Sequence, residues 1–186
     1  MQREIMPETV TTRFCIECGA ALEQREAFGR PRPVCPACGH VHFEDPKVGV
    51  GVVATRSGAI LLTRRNHEPR MGMWSFPAGF VDAYENVVEA AAREAWEETG
   101  VRVRVGPLLG VFQEPGSRVV FIAFAAEAGE EPPVCGDECL DVRYFAPEAL
   151  PPLAFQTDAA VLDAWRRLAA ADGAGAAERS ADRESG

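Results

Sequence analysis

The stretch from Gly79 to Val101, GFVDAYENVVEAAAREAWEETGV, decides how the chain is read. From Glu85 to Thr99 it consists mostly of strong helix formers, and Gly100 stands where a left-handed residue would cap the helix, so the spacing predicts strand, Gly79 loop, helix and Gly100 stop. Helix positions three and four apart are neighbours, which puts Glu94, Glu97 and Glu98 on one face with no Lys or Arg between them. Three carboxylates so placed repel one another unless a hard divalent cation sits among them. Mg²⁺, which takes a few carboxylates together with waters and phosphate oxygens, suits such a face. Arg93 precedes Glu97 by four residues and is expected to pair with it and hold its rotamer. Val87, Val88, Ala91, Ala92 and Ala95 are apolar and mostly small, as close packing against a sheet requires.

An acidic helix face is ordinarily solvated surface. Here the spacing argues for more. Gly79 is followed after five residues by Glu85, then after seven by Arg93-Glu94, and on through Glu97-Glu98 to Gly100 and aliphatic Val101. Every fixed position of the Nudix box is filled, and over roughly residues 47–170 the chain resembles that family. The resemblance implies an α/β fold, the Nudix α/β/α sandwich of mixed sheet. It also implies hydrolysis at a nucleotide pyrophosphate with Mg²⁺ (or Mn²⁺) on Glu94, Glu97, Glu98 and the Gly79 carbonyl, with Arg93 as part of the catalytic set.

Length and composition are consistent with this. At 186 residues and 47% hydrophobic the chain buries one full core plus a small appendage. A net charge of −9 argues against a broad nucleic-acid or anionic-membrane surface. No apolar run approaches membrane-spanning length, and MQREIMPETVTTR has no apolar core of a secretory signal, so a cytoplasmic protein with no membrane partner is expected.

Ahead of the box, RFCIECG and CPACGH place Cys15, Cys18, Cys35 and Cys38 as two CxxCG knuckles. Each knuckle offers two thiolates to one ion, and four thiolates close a tetrahedral site with no position left for water, so a structural Zn²⁺ is expected. Redox CxxC pairs are the competing reading. His40 and His42 follow the last knuckle and are read as ordinary residues, since the tetrahedron is already complete. The expected organisation is a mobile leader at 1–13, a zinc ribbon at 14–44, the hydrolase domain at 45–170 and a disordered tail at 171–186, whose composition is low in hydrophobicity.

KVGVGVVAT and AILLTRR read as a hairpin turning at Gly58, with Arg64, Arg65 and His67 beyond it as candidate phosphate contacts. Arg64, Arg65 and Trp74 are the candidate substrate-binding residues, though Trp74 equally suits a core. VRVRVGPLLGVFQE and RVVFIAFAAEA read as strands joined across EPGS, DVRYF as a short strand and AFQTDAAVLDAWRRLAA as a helix. Cys135 and Cys139 form a CxxxC pair with no assigned role. Glu138 lies where several Nudix enzymes carry an additional carboxylate, which makes it a candidate water activator.

Two ribbon-bearing branches of the family are similar to this chain. NADH and NAD-cap pyrophosphatases carry an SQPWPFPxS-like tract after the box, where this sequence has VRVRVGPLLGVFQEPGSRVVFIAF. FAD and ADP-ribose pyrophosphatases share RFCIECG, CPACGHVHFEDPKVGVG, GMWSFPAGFVD and REAWEETG in the same order, and Pro115 resembles their downstream proline. The resemblance therefore implies FAD or ADP-ribose as the favoured small-molecule substrate, and a homodimer. NADH or NAD-cap hydrolysis is the alternative, and a non-catalytic nucleotide-binding regulator is the reading from a different class.

Overall fold

A computed structural model describes residues 12–184, with side chains described as far as Ala171. Most of the expected leader, residues 1–11, lies outside the described residues. The chain forms two compact units that divide between Pro46 and Lys47, two residues beyond the boundary expected from sequence.

The first unit contains a short antiparallel pair, β1 (Glu23–Ala27) and β2 (Arg30–Val34), joined through Phe28 and Gly29, both at positive φ. Each knuckle is a tight turn in which the glycine N–H donates back to the first cysteine, Gly19 to Cys15 at 2.9 Å and Gly39 to Cys35 at 3.0 Å. Gly19 and Gly39 hold φ of 74° and 78°, the left-handed conformation that glycine adopts without a Cβ clash. The ribbon begins earlier than expected: the Leu22 N–H donates to the Arg13 carbonyl at 3.0 Å, and the Thr12 hydroxyl lies 2.9 Å from His42 Nε2.

The second unit is built on a seven-stranded mixed sheet. Its strands are β3 (Lys47–Arg56), β4 (Ala59–Arg65), β5 (Trp74–Ser75), β6 (Ala78–Phe80), β7 (Val103–Phe112), β8 (Val119–Ala128) and β9 (Cys139–Phe145). The central path runs β5-β4-β3-β8-β7, with β6 paired to β3 and β9 to β4. β3 and β8 are parallel over nine residue pairs, and the other pairings are antiparallel. Because β3 is covered on both faces, it reads as a continuous apolar run rather than an alternation. At Gly106-Pro107 the β7–β8 register is irregular, between Val105 and Leu108.

Helix α1 (Val87–Thr99) covers one face of the sheet, packing Ala90, Ala91 and Ala95 against Val50, Val52 and Leu61. Helix α2 (Gln156–Glu184) covers the other, with Val161 and Leu162 against Val53, Ile60 and Phe76. This is the expected sandwich of mixed sheet. One helix boundary differs from expectation. α1 starts at Val87 rather than Glu85, because the Asn86 side chain accepts the Val88 N–H at 2.9 Å and caps the helix there. The α2 backbone runs on to Glu184, into the stretch expected as a tail.

Candidate active site

β3 pairs with β4 only at Thr55 and Arg56, and with β6 at Gly49–Gly51, so β4 and β6 leave the same strand in different places. Glu98 bridges them. Its Oε2 accepts from the Thr63 hydroxyl of β4 at 3.2 Å and from the Ala78 N–H of β6 at 3.4 Å. Gly79 follows, and a Cβ there would stand 2.1 Å from the Glu94 carboxyl, so only glycine lets this acid lie flat against β6.

Arg93 organises the remaining acids. Its Nε and Nη2 donate to the two Glu85 oxygens at 2.7 and 2.8 Å, and its Nη1 donates to Glu94 at 2.8 Å and to Glu97 at 2.9 Å. Nη2 also reaches the Phe80 carbonyl at 3.1 Å. The expected Arg93–Glu97 pair is present, within a wider fork that sequence spacing did not reveal. The hydrogen-bonded Arg93 and the Asp82 N–H hold Glu85 down to about 2. Burial instead raises Glu94, against the pull of Arg93. Burial also pushes Glu98 up to about 8, against the Ala78 and Thr63 donors and with the charges of Glu94 and Glu138 adding to the rise.

The donors to Glu98 are neutral and its charged neighbours in the site include two further carboxylates, so a divalent cation would supply the compensating charge and fits this donor set. The carboxylates are nevertheless not gathered at one point: Glu97 is held by Arg93, and Glu98 by Thr63 and Ala78.

These acids line a cleft of about 1020 Å³, together with Gly79, Arg93 and Glu138. The lining also includes Phe112, Phe121, Phe155, Glu114 and Asp158, none of which was a candidate site residue from sequence. Phe121 lies over Gly49 and Gly51, where a Cβ would meet its ring at 3.2 and 2.7 Å. The Val-Gly-Val-Gly pattern of β3 was the available signal for such a platform.

Of the candidate substrate residues, Arg65 lines the cleft, 4.9 Å over the Phe155 ring, with its Nε bonded to the Pro69 carbonyl at 3.0 Å. His67 lines it too. Arg64 and Trp74 are not part of the lining. They pair across β4 and β5; Arg64 donates to the Gly72 carbonyl at 2.8 Å, and Trp74 packs edge-on to Phe145 at 4.8 Å in the core. Strand alternation separates Arg64 from Arg65, since adjacent residues point to opposite faces.

In the ribbon unit, the sulfurs of Cys15, Cys18, Cys35 and Cys38 all lie within 4.8 Å of one another, with Cys15–Cys38 at 3.6 Å and Cys18–Cys35 at 3.5 Å. Backbone N–H donors at Cys38 and Ala37 help bring the Cys35 thiol down to about 6. Four sulfurs in this arrangement fit the tetrahedral thiolate site of a zinc ribbon.

Comparison with known proteins agrees with both units. Residues 45–165 match the NUDIX domain, and residues 13–44 match the Nudix N-terminal zinc ribbon. The ADP-ribose pyrophosphatase of Methanocaldococcus jannaschii is 34% identical over 125 residues, 65% of this chain and 74% of that protein. The NAD-capped RNA hydrolase NudC of Pseudomonas aeruginosa is 35% identical over 148 residues, 77% of this chain and 51% of its own. The chain thus spans about half the length of the NudC relatives it matches. The crystal structure of a NUDIX hydrolase from Nitrosomonas europaea superposes with a TM-score of 0.77 at 34% identity, over 83% of this chain and 89% of the other. With the box acids against β6 and the thiol cluster in the unit before them, the chain belongs to the Nudix hydrolases, enzymes that act on phosphorus-containing anhydrides.

Proposed function

We propose that the enzyme hydrolyses the pyrophosphate bond of a nucleoside diphosphate linked to a second moiety, ADP-ribose or FAD first, releasing a nucleoside monophosphate. The observation that carries this is the mixed lining of the cleft, in which Glu94, Glu97, Glu98 and Glu138 share one cavity with Phe112, Phe121, Phe155 and Arg65. Such a lining suits a ligand that carries both a diphosphate and a flat ring. The relative named as an ADP-ribose pyrophosphatase supports the same substrate class. NADH or NAD-cap hydrolysis is the second reading, favoured by the NudC relatives.

Arg93 sets the rotamers of Glu85, Glu94 and Glu97 before substrate arrives, and Thr63 with Ala78 sets Glu98. A divalent cation, Mg²⁺ or Mn²⁺, would be held by Glu94, Glu97, Glu98 and the Gly79 carbonyl, and when bound it neutralises phosphate charge and lowers the pKa of its water. The proton of the attacking water passes to a carboxylate of this cleft, one of the box glutamates or Glu138, whose charge is near enough to raise both Glu94 and Glu98. Zn²⁺ on Cys15, Cys18, Cys35 and Cys38 is structural. Mg²⁺ as the particular ion, FAD beside ADP-ribose, the homodimer and the cytoplasmic location rest on the family resemblance.

One panel tests the substrate: FAD, ADP-ribose, NADH, diadenosine polyphosphates and oxidised dNTPs with Mg²⁺, scored by released monophosphate. FAD or ADP-ribose is expected to exceed NADH in kcat/KM by at least about tenfold, a margin that a few differential contacts give. A preference for NADH, or cleavage of none, overturns the proposal.

A further inference from the structure

Cys135, on the segment between β8 and β9, and Cys139, the first residue of β9, bracket Glu138. Their Cα atoms are 5.7 Å apart, inside the span a disulfide bridges. Cys135 is exposed, so an oxidant can reach it. The segment docks on the end of α1. The Val134 N–H donates to the Thr99 carbonyl at 2.8 Å, the Gly136 N–H to the Glu98 carbonyl at 3.1 Å, and Asn66 Nδ2 to the Asp137 carbonyl at 2.7 Å. A Cβ on Gly136 would stand 2.3 Å from the Glu97 carbonyl, so backbone lies directly on backbone. The last turn of α1 contains no basic residue, and this segment takes up carbonyls that the helix itself leaves unpaired.

We propose that Cys135 and Cys139 form a reversible thiol–disulfide switch that governs how firmly Glu138 is held at the cleft. The inference rests on the reading of this cleft as the hydrolytic site. In the oxidised form the bond closes a five-residue ring containing Gly136, Asp137 and Glu138, which fixes Glu138 against the box. In the reduced form that covalent tie is gone and the turn retains only its hydrogen bonds, so turnover falls. The oxidant is a low-molecular-weight disulfide: the thiolate of one cysteine attacks it and releases one thiol, and the second cysteine then displaces the other, forming the Cys135–Cys139 bond. Two electrons and two protons leave the protein, and two small thiols are produced.

The test uses the full-length zinc-loaded chain, equilibrated with oxidised or reduced glutathione and then assayed with Mg²⁺ and ADP-ribose. Alkylation mass spectrometry counts free thiols, and elemental analysis confirms retained zinc. Oxidised wild type is expected to show a kcat at least about threefold above the reduced form. Cys135→Ser and Glu138→Gln should show no redox difference, with Cys135→Ser staying near the reduced wild-type rate. Equal kcat in the two forms, a difference that persists in Cys135→Ser, or failure of the pair to oxidise while zinc stays bound would overturn the switch. Should ADP-ribose not be cleaved, the same comparison is made with FAD; if neither is cleaved the substrate reading fails, while the alkylation count still decides whether the disulfide forms, and its failure to form overturns the switch.

Discussion

The chain carries two clusters of metal-type ligands, and they are assembled in opposite ways. The four cysteines come from two turns of the same local design, each glycine folding its knuckle back on its first cysteine, and their sulfurs meet within 4.8 Å. The box acids come from one helix but are finished by distant strands: Glu98 by Thr63 and Ala78, Glu94 by the bare face of Gly79. A site made of local turns needs only its spacing to be correct. A site made of tertiary contacts needs the sheet first. The ribbon is accordingly expected to depend on its ion for folding, whereas the hydrolase unit has two hydrophobic layers and is expected to fold before it binds one.

The sharpest test of this contrast is Cys38→Ser. A closed structural thiolate site contributes about 10–16 kcal/mol of apparent binding free energy in small zinc modules, far more than a hairpin of this size supplies. Zinc content should fall to near zero, and residues 23–34 should become open to limited proteolysis. The melting transition of the hydrolase unit should remain. Full zinc occupancy in the variant, or zinc-free wild type that still protects the hairpin, would break the contrast.

Glu98→Gln is the matching test on the other side. Gln keeps an oxygen for the Thr63 hydroxyl and the Ala78 N–H, while the buried charge is lost. The fold should be unchanged by circular dichroism, with turnover lower by about 10²–10⁴-fold, the range expected on losing a positioned carboxylate. Near-normal kcat at saturating Mg²⁺ would remove Glu98 from the site.

The same division explains what was legible in the sequence. Both cysteine knuckles, the α1 stop at Gly100 and the paired strands β7 and β8 follow from short-range patterns, and the structure shows each. The Asn86 cap was also written locally, but Glu85 just before it was read as the first helical residue. The rest of the cleft lining was not legible. Phe112, Phe121, Phe155, Glu114 and Asp158 come from β7 and the loop after it, from β8, and from the approach to and first turn of α2, and their meeting depends on strand order rather than on any spacing. Trp74 shows the converse. A large aromatic beside the box looked like a substrate contact, yet its strand position opposite Arg64 turns it into the core against Phe145.

The smallest expected effect concerns an acid of that lining. Asp158 is buried, and its Oδ2 accepts the Phe155 N–H at 2.9 Å, closing the first turn of α2. Burial is the main cause that pushes it up to about 6; the charge of Glu114 adds to the rise, while the Phe155 N–H and Arg65 oppose it. The folded state therefore holds this proton more tightly than the unfolded chain, in which an aspartate titrates near 4. The stability that the proton provides is fully present below about pH 4 and is lost as pH rises through about 6, amounting to on the order of 2 kcal/mol. Asp158→Asn keeps an oxygen for Phe155 and cannot ionise, so it should remove this part of the pH dependence. Denaturant unfolding of both proteins at pH 4 and pH 7, without added metal, reads it directly. The variant should gain stability relative to wild type on going from pH 4 to pH 7, and a difference that stays constant across that range would show that burial does not hold the proton on Asp158.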